Sequence, residues 1–149
     1  MATRLQVIAE ARSWIGTRCH HHAGLKGVGT DCGGMVRGVG AELGLEPTGW
    51  RAAAERFKGY GRRPAGGIVR ESLALYADPI PLASAQPGDI LLMQFAHETE
   101  PQHVGILTDL NGRPGLIHVY YQARKVAEHG IDETWRRRIV GAYQYRGIE

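Results

Sequence analysis

The sequence predicts an α+β domain, with N-terminal helices packed on a C-terminal antiparallel sheet of about five strands. Three observations predict it. Apolar residues at helical spacing mark the first 45 residues. Segments rich in Ile, Leu, Val and Tyr follow Gly88. No Pro/Ser-rich linker divides the two halves, so the 149 residues are expected to form one domain, 1–149, with a shared core and a cleft between the halves.

Thr3 to Ile15 reads as an amphipathic helix, with Leu5, Ile8, Ala9, Arg12 and Ile15 at helical spacing. Thr3 and Gln6 are placed to form a capping box, and Gly16 ends the helix. Residues 16–30 read as a loop with glycine at three of its later positions. A second helix spans 32–44, closed by Gly44 and the Glu46-Pro47 pair. Residues 48–66 carry weak signals, with a turn or two of helix over Ala52 to Lys58. Gly67 to Ala77 is a clearer helix, stopped by Asp78-Pro79. Gly88 to Phe95, Gln102 to Asp109, Leu116 to Gln122 and Arg138 to Tyr145 read as strands. Asn111-Gly112-Arg113-Pro114-Gly115 is expected to turn the chain between the second and third, and Lys125 to Glu128 adds a short strand. The helices are expected on one side of the sheet.

Composition narrows the function. Hydrophobic content of 43% and charged content of 22% fit a folded globular domain. No apolar run approaches the roughly 20 residues of a membrane span. The N-terminus lacks the long apolar core of a signal peptide, so synthesis in the bacterial cytoplasm is expected, with Cys19 and Cys32 as free thiols. The net charge of +3 comes with two basic clusters, Arg51, Arg56, Lys58, Arg62 and Arg63, and then Arg136-Arg137-Arg138. A solvated basic face explains them, and an anionic polymer or acidic protein is the sharper alternative. No nucleic-acid recognition motif accompanies the charge.

The chemistry concentrates at Asp31-Cys32-Gly33-Gly34. Cys32 falls in the first turn of the second helix, with Asp31 at the N-cap. First-turn amides and the positive helix end favour a thiolate there, and Gly33 and Gly34 let a substrate backbone approach. His103 would pair with the thiol and make it a thiolate at neutral pH, and His118 on the next strand would orient His103. Each residue alone has an ordinary reading, a buried Cys or a structural His. The combination on one helix start and two consecutive strands points to nucleophilic catalysis.

Four boxes in order, Asp31-Cys32-Gly33-Gly34, Gln86-Pro87-Gly88-Asp89-Ile90, His103-Val104-Gly105-Ile106 and Leu116-Ile117-His118, resemble the NlpC-type family of cell-wall cysteine peptidases. Trp14-Ile15-Gly16-Thr17, Lys26 to Thr30, and Trp135 to Tyr143 are similar to the short forms carried by tailed phages and gene-transfer-agent particles. The resemblance covers residues 5–145. It implies a papain-like fold and hydrolysis of peptidoglycan stem peptides at D-γ-glutamyl-diaminopimelate bonds. It also implies a triad of Cys32, His103 and His118, with no cofactor and no metal. Related sequences carry a Tyr where this chain has Cys19, in Gly16-Thr17-Arg18-Cys19. A thiol is a weak donor, so Cys19, His20, His21, Asp31 and Gly33 are the candidates around the oxyanion and substrate, with the Cys32 amide as a backbone donor.

Cys19-His20-His21-His22 also permits a rival reading, a zinc-dependent hydrolase, although successive side chains of an extended run point apart. Two further alternatives are a catalytically weak or inactive structural tail component with the same fold, and a cytoplasmic Cys–His amidase or acyltransferase. The expected setting is a tail tip or baseplate, with the chain assembled into a virion or phage-like tail. Trp50, Tyr60, Trp135 and the basic clusters are candidates for docking to tail-tip or baseplate proteins.

Overall fold

The structure is a computed structural model that describes residues 1–45 and 67–149. The Glu46-Pro47 pair expected to close the second helix, and the readings for 48–66, including Ala52 to Lys58, Trp50, Tyr60 and the first basic cluster, lie outside the described residues.

Helix α1 spans Arg4–Ser13, with the capping box formed as the sequence predicts: Thr3 Oγ1 accepts from the Gln6 amide and Gln6 Oε1 from the Thr3 amide. Its inward face is shifted from the one read in the sequence. Val7, Ile8 and Ala11 are buried, whereas Leu5 and Ile15 are exposed. A chain of mixed small and apolar residues offers two plausible stripes, and packing selects the one continuous with buried Trp14. The following loop contains a two-residue hairpin, β1 (Gly24–Leu25) with β2 (Gly29–Thr30), which the sequence reading missed. Helix α2 spans Cys32–Glu42 and buries Met35, Val36 and Val39. It is glycine-rich because large rings press on it. A Cβ at Gly38 would sit 2.5 Å from the Trp14 ring, and one at Gly40 would sit 3.0 Å from Tyr145.

Helix α3 is shorter than the sequence predicts, Ile68–Leu73, and Ala77 already opens strand β3 (Ala77–Ile80). Asp78-Pro79 therefore does not follow a helix but lies in a strand. The proline is tolerated because β3 is at the sheet edge and pairs only with the last strand. The remaining strands are β4 (Ile90–Met93), β5 (His103–Leu110), β6 (Arg113–Tyr120), β7 (Lys125–Gly130) and β8 (Ile139–Tyr145). The turn between β5 and β6 is only Asn111-Gly112, both at positive φ. Arg113, Pro114 and Gly115 belong to β6. A short helix α4 (Glu133–Arg138), capped by Asp132, precedes β8.

The six strands form one antiparallel sheet in the order β3-β8-β4-β5-β6-β7. Alternation gives it two buried faces. Ile90, Leu92, Val104, Ile106, Ile117 and Val119 meet α1 and α2 in the larger cluster. Leu91, Met93, Leu116 and Ala142 point the other way and meet Trp135 of α4. The helices thus cover both faces, where the sequence reading expected one.

The Gln86 to Ile90 box is a structural joint. Asp89 is fully buried, accepts the Gln86 amide at 2.8 Å and forms an ion pair with Arg4. Gly88 takes φ +99° and packs on the Arg4 side chain, so the start of β4 is fastened to the start of α1.

Candidate active site

Asp31 caps α2: Oδ1 accepts the Gly34 amide at 2.7 Å, and Oδ2 accepts the His22 amide at 3.2 Å. Its carboxylate is committed to the helix start and the loop before it. Gly33 opens onto free space, as substrate approach requires. Gly34 serves a different purpose from the one expected, because a Cβ there would lie 2.2 Å from the Ala23 carbonyl. It lets the chain's own loop cross the helix start.

Cys32 is half-buried in the first turn, and its thiol faces the Gln102 carbonyl at 3.9 Å, a weak S–H contact. The sulfur therefore rests against the chain that leads into His103. Burial pushes the thiol up to about 11, and the Asp31 carboxylate adds to this. The Val104 amide, the Tyr121 phenol and the Gly33 amide pull the other way.

His103 and His118 stand on the same sheet face, the one covered by Trp135, and His103 Nε2 lies 2.7 Å from His118 Nδ1. Gly105 makes this possible. A Cβ at that position would lie 2.9 Å from the His118 Cβ and 2.9 Å from the Ile117 carbonyl. Burial lowers His103 to about 3, with a further push from the Arg138 charge. Burial lowers His118 to about 2, with the neighbouring His103 and His129 adding to it. Both shifts favour a neutral thiol and a neutral imidazole over the thiolate expected at neutral pH. No Cys32–His103 hydrogen bond forms, since the buried His103 Nδ1 has no hydrogen-bond partner.

Two residues at the site escaped the sequence reading. His129 stands one residue beyond the short strand read at Lys125 to Glu128, and its Nε2 lies 2.7 Å from His118 Nε2. The register brings it there: β7 pairs antiparallel with β6, so Leu116 faces His129, and His118 is its diagonal neighbour. Tyr121 follows β6, and its ring centroid lies 5.5 Å from that of His103. Desolvation first, and then its interaction with the Cys32 sulfur, hold its phenol well above the ordinary tyrosine range, so it keeps its proton.

Of the remaining candidates, Cys19 is near enough to Tyr121 to act on its phenol. His20 turns Nδ1 to the His21 carbonyl at 3.1 Å, and His21 stacks on His22 with centroids 3.7 Å apart. Cys19 pairs its backbone with Thr30 and Arg124 and packs on the larger core. Among the described residues, no group of three or more His, Cys, Asp or Glu side chains is placed to hold a metal ion.

Comparison with known proteins places this arrangement. No curated protein sequence matches the chain. Its fold is similar to the NlpC/p60 domain of the peptidoglycan hydrolase SagA, at TM-score 0.61 and 22% identity over 95% of this chain and 97% of that one. It is similar to an NlpC/P60 family protein from Bacillus cereus, at TM-score 0.67 and 16% identity, covering 97% of this chain and 40% of that one. It is also similar to an N-acetylmuramoyl-L-alanine amidase from Bacteroides uniformis, at TM-score 0.61 and 11% identity over 96% and 98%. At these identities the likeness is one of fold. The sequence model of the NlpC/P60 family matches residues 16–144, which contain Cys32, His103, His118 and His129, and the chain belongs to that family.

Proposed function

We propose that the protein is a cysteine peptidase that hydrolyses amide bonds in peptidoglycan stem peptides, of the D-γ-glutamyl-diaminopimelate type. The observation that carries this reading is a thiol at a helix start that rests against the Gln102 carbonyl, next in the chain to a buried His103 imidazole whose Nδ1 has no hydrogen-bond partner. Family membership and the similarity to SagA and the amidase supply the substrate class.

In this reading the Cys32 S–H turns from the Gln102 carbonyl to His103 Nδ1. The proton passes to Nδ1 as sulfur attacks the scissile carbonyl carbon, so charge develops during the reaction and need not exist before it. The Cys32 amide, in the first turn of α2, donates to the oxyanion. Tyr121 supplies a second donor beside the sulfur, in the role that position 19 lacks. His103 Nδ1–H then protonates the leaving amine, and the thioester remains. A water gives its proton to Nδ1, attacks the thioester and releases the carboxylate, and the thiol regains its proton.

The test is incubation with L-Ala-D-γ-Glu-meso-diaminopimelate and related stem peptides, read by mass spectrometry. Release of the diamino acid by the native protein, and none by Cys32→Ala, supports the reading. No turnover by native protein favours a structural component, and turnover of small amides alone favours the amidase or acyltransferase. We place the enzyme at a phage-like tail tip or baseplate, where it would open the wall locally, on the resemblance of its Trp14 to Thr17 and Trp135 to Tyr143 segments to tail-borne forms. Protein composition of purified tail particles from the source strain tests that placement, and absence of the chain from them would overturn it.

A further inference from the structure

Three histidines form one continuous line in this structure, and its far end is anchored. His103 Nε2 meets His118 Nδ1 at 2.7 Å, and His118 Nε2 meets His129 Nε2 at 2.7 Å. His129 Nδ1 meets the Gly130 carbonyl at 2.8 Å. His103 and His118 are buried, and Trp135 packs on the second and third rings with centroids 4.9 Å from His118 and 5.0 Å from His129. Tyr120 flanks the same rings at 5.6 and 5.2 Å.

Hydrogen-bond logic fixes the protons along this line. A neutral imidazole carries one N–H and one bare nitrogen. The His103–His118 pair alone is degenerate, because either ring can donate to the other. The carbonyl of Gly130 can only accept, so a neutral His129 carries its one proton on Nδ1 and presents a bare Nε2. His118 must then donate from Nε2 and presents a bare Nδ1. His103 must donate from Nε2 and is left with a bare Nδ1, the nitrogen without a partner. In the reverse arrangement two bare nitrogens would face each other at His118 and His129. His103 would carry its proton on Nδ1 and have no lone pair there for a thiol proton.

We propose that His129 is a positioning residue: held by the Gly130 carbonyl, it sets through His118 the tautomer that makes His103 Nδ1 a base. The assignment rests on reading Cys32 and His103 as the reacting pair, but the tautomers are measurable without turnover. The sheet supplies the geometry, since β7 places His129 diagonal to His118 on the same face. Trp135 and Tyr120 enclose the line, so water does not readily replace the missing acceptor when His129 is removed.

The experiment is imidazole nitrogen NMR on the ¹⁵N-histidine protein at pH 7.5, together with kinetics on the stem peptide. The native protein is expected to show His103 and His118 with Nε2–H and His129 with Nδ1–H. His129→Phe removes the acceptor. His118 and His103 then shift toward the Nδ1–H form, and kcat falls on the order of tenfold with KM little changed. His129→Gln returns an acceptor oxygen near the Nε2 position, and both tautomers and kcat return to within about twofold of native. Native His103 found with Nδ1–H, or unchanged tautomers and kcat in His129→Phe, overturns the assignment. If His129→Phe fails to fold, the native tautomers and His129→Gln still decide it. Native tautomers as stated with no turnover of any stem peptide would reject the peptidase reading and leave His129 as the group that sets the tautomer.

Discussion

At the scale of single residues, burial favours a neutral thiol at Cys32 and a neutral imidazole at His103 over a resting ion pair. Cys32 lies up near 11 and His103 down near 3, both displaced first by burial. Alkylation of Cys32 by iodoacetamide, measured against pH, is expected to climb through pH 9 to 11 instead of levelling off near neutrality. Tyr121→Phe removes a donor from the sulfur and should slow alkylation further at pH 8.5, while Cys19→Ala should leave the Cys32 profile unchanged. A plateau by pH 7 would show a resting thiolate. The histidines make a second prediction. A His whose folded value is lowered binds its proton more weakly folded than unfolded, so its stabilising contribution is whole above about 6.5 and is lost as pH falls. For His103 the loss runs from about 6.5 toward about 3, and for His118 toward about 2. Thermal melts from pH 8 to 4 should therefore show Tm falling steadily below 6.5. A Tm independent of pH over that interval would contradict the buried neutral histidines. Cys32, His103 and His118 were legible because each sits on a strong local signal, a helix cap or a strand beside a turn. His129 and Tyr121 were not, because their proximity depends on the β6–β7 register and on the chain path after β6, which no local pattern encodes.

At the scale of elements, two joints hold the thiol helix and the histidine strands in place. Asp89, buried at the start of β4, has the Arg4 guanidinium and the Gln86 amide as its partners. Arg4→Ala leaves a buried carboxylate without its counter-charge and should cost about 3 kcal/mol in urea unfolding. Less than about 0.5 kcal/mol would show the pair to be an ordinary surface bridge. Gly105→Ala drives a Cβ to 2.7 Å from the Leu116 Cδ1 as well as onto His118, and should cost about 1–3 kcal/mol and weaken the His103–His118 contact. Element existence followed from the sequence wherever caps or alternation were strong, as at Thr3, Asp31 and the strands after Gly88. It failed where tertiary pairing overrides local preference. Asp78-Pro79 looks like a helix stop but is an edge strand because β8 offers it a partner, and Pro114 looks like a turn residue but opens β6. The inward face of α1 failed for the same reason, since Trp14 and α2 decide which stripe is covered.

At the scale of the whole molecule, the sheet is the common wall of two cores. Cys32 packs against the larger core on the α1 and α2 side, whereas the three histidines belong to the face closed by Trp135. The same strands, β4 and β6, supply side chains to both clusters, with Leu92 and Ile117 on one side and Leu91 and Leu116 on the other. Neither cluster survives disruption of those strands, so the described halves are expected to unfold as one cooperative unit. Val39→Ala removes packing from the helix core, and Leu116→Ala removes it from the face beneath Trp135. Each should lower one and the same urea midpoint, the second with a loss of about 2–5 kcal/mol in unfolding free energy, with far-UV circular dichroism and imidazole NMR reporting coincident transitions. If Leu116→Ala instead releases the histidine face in a separate early transition while the helix signal persists, the two cores are independent. The alignment of thiol and imidazole would then rest on local contacts at the end of β5 and not on the sheet they share.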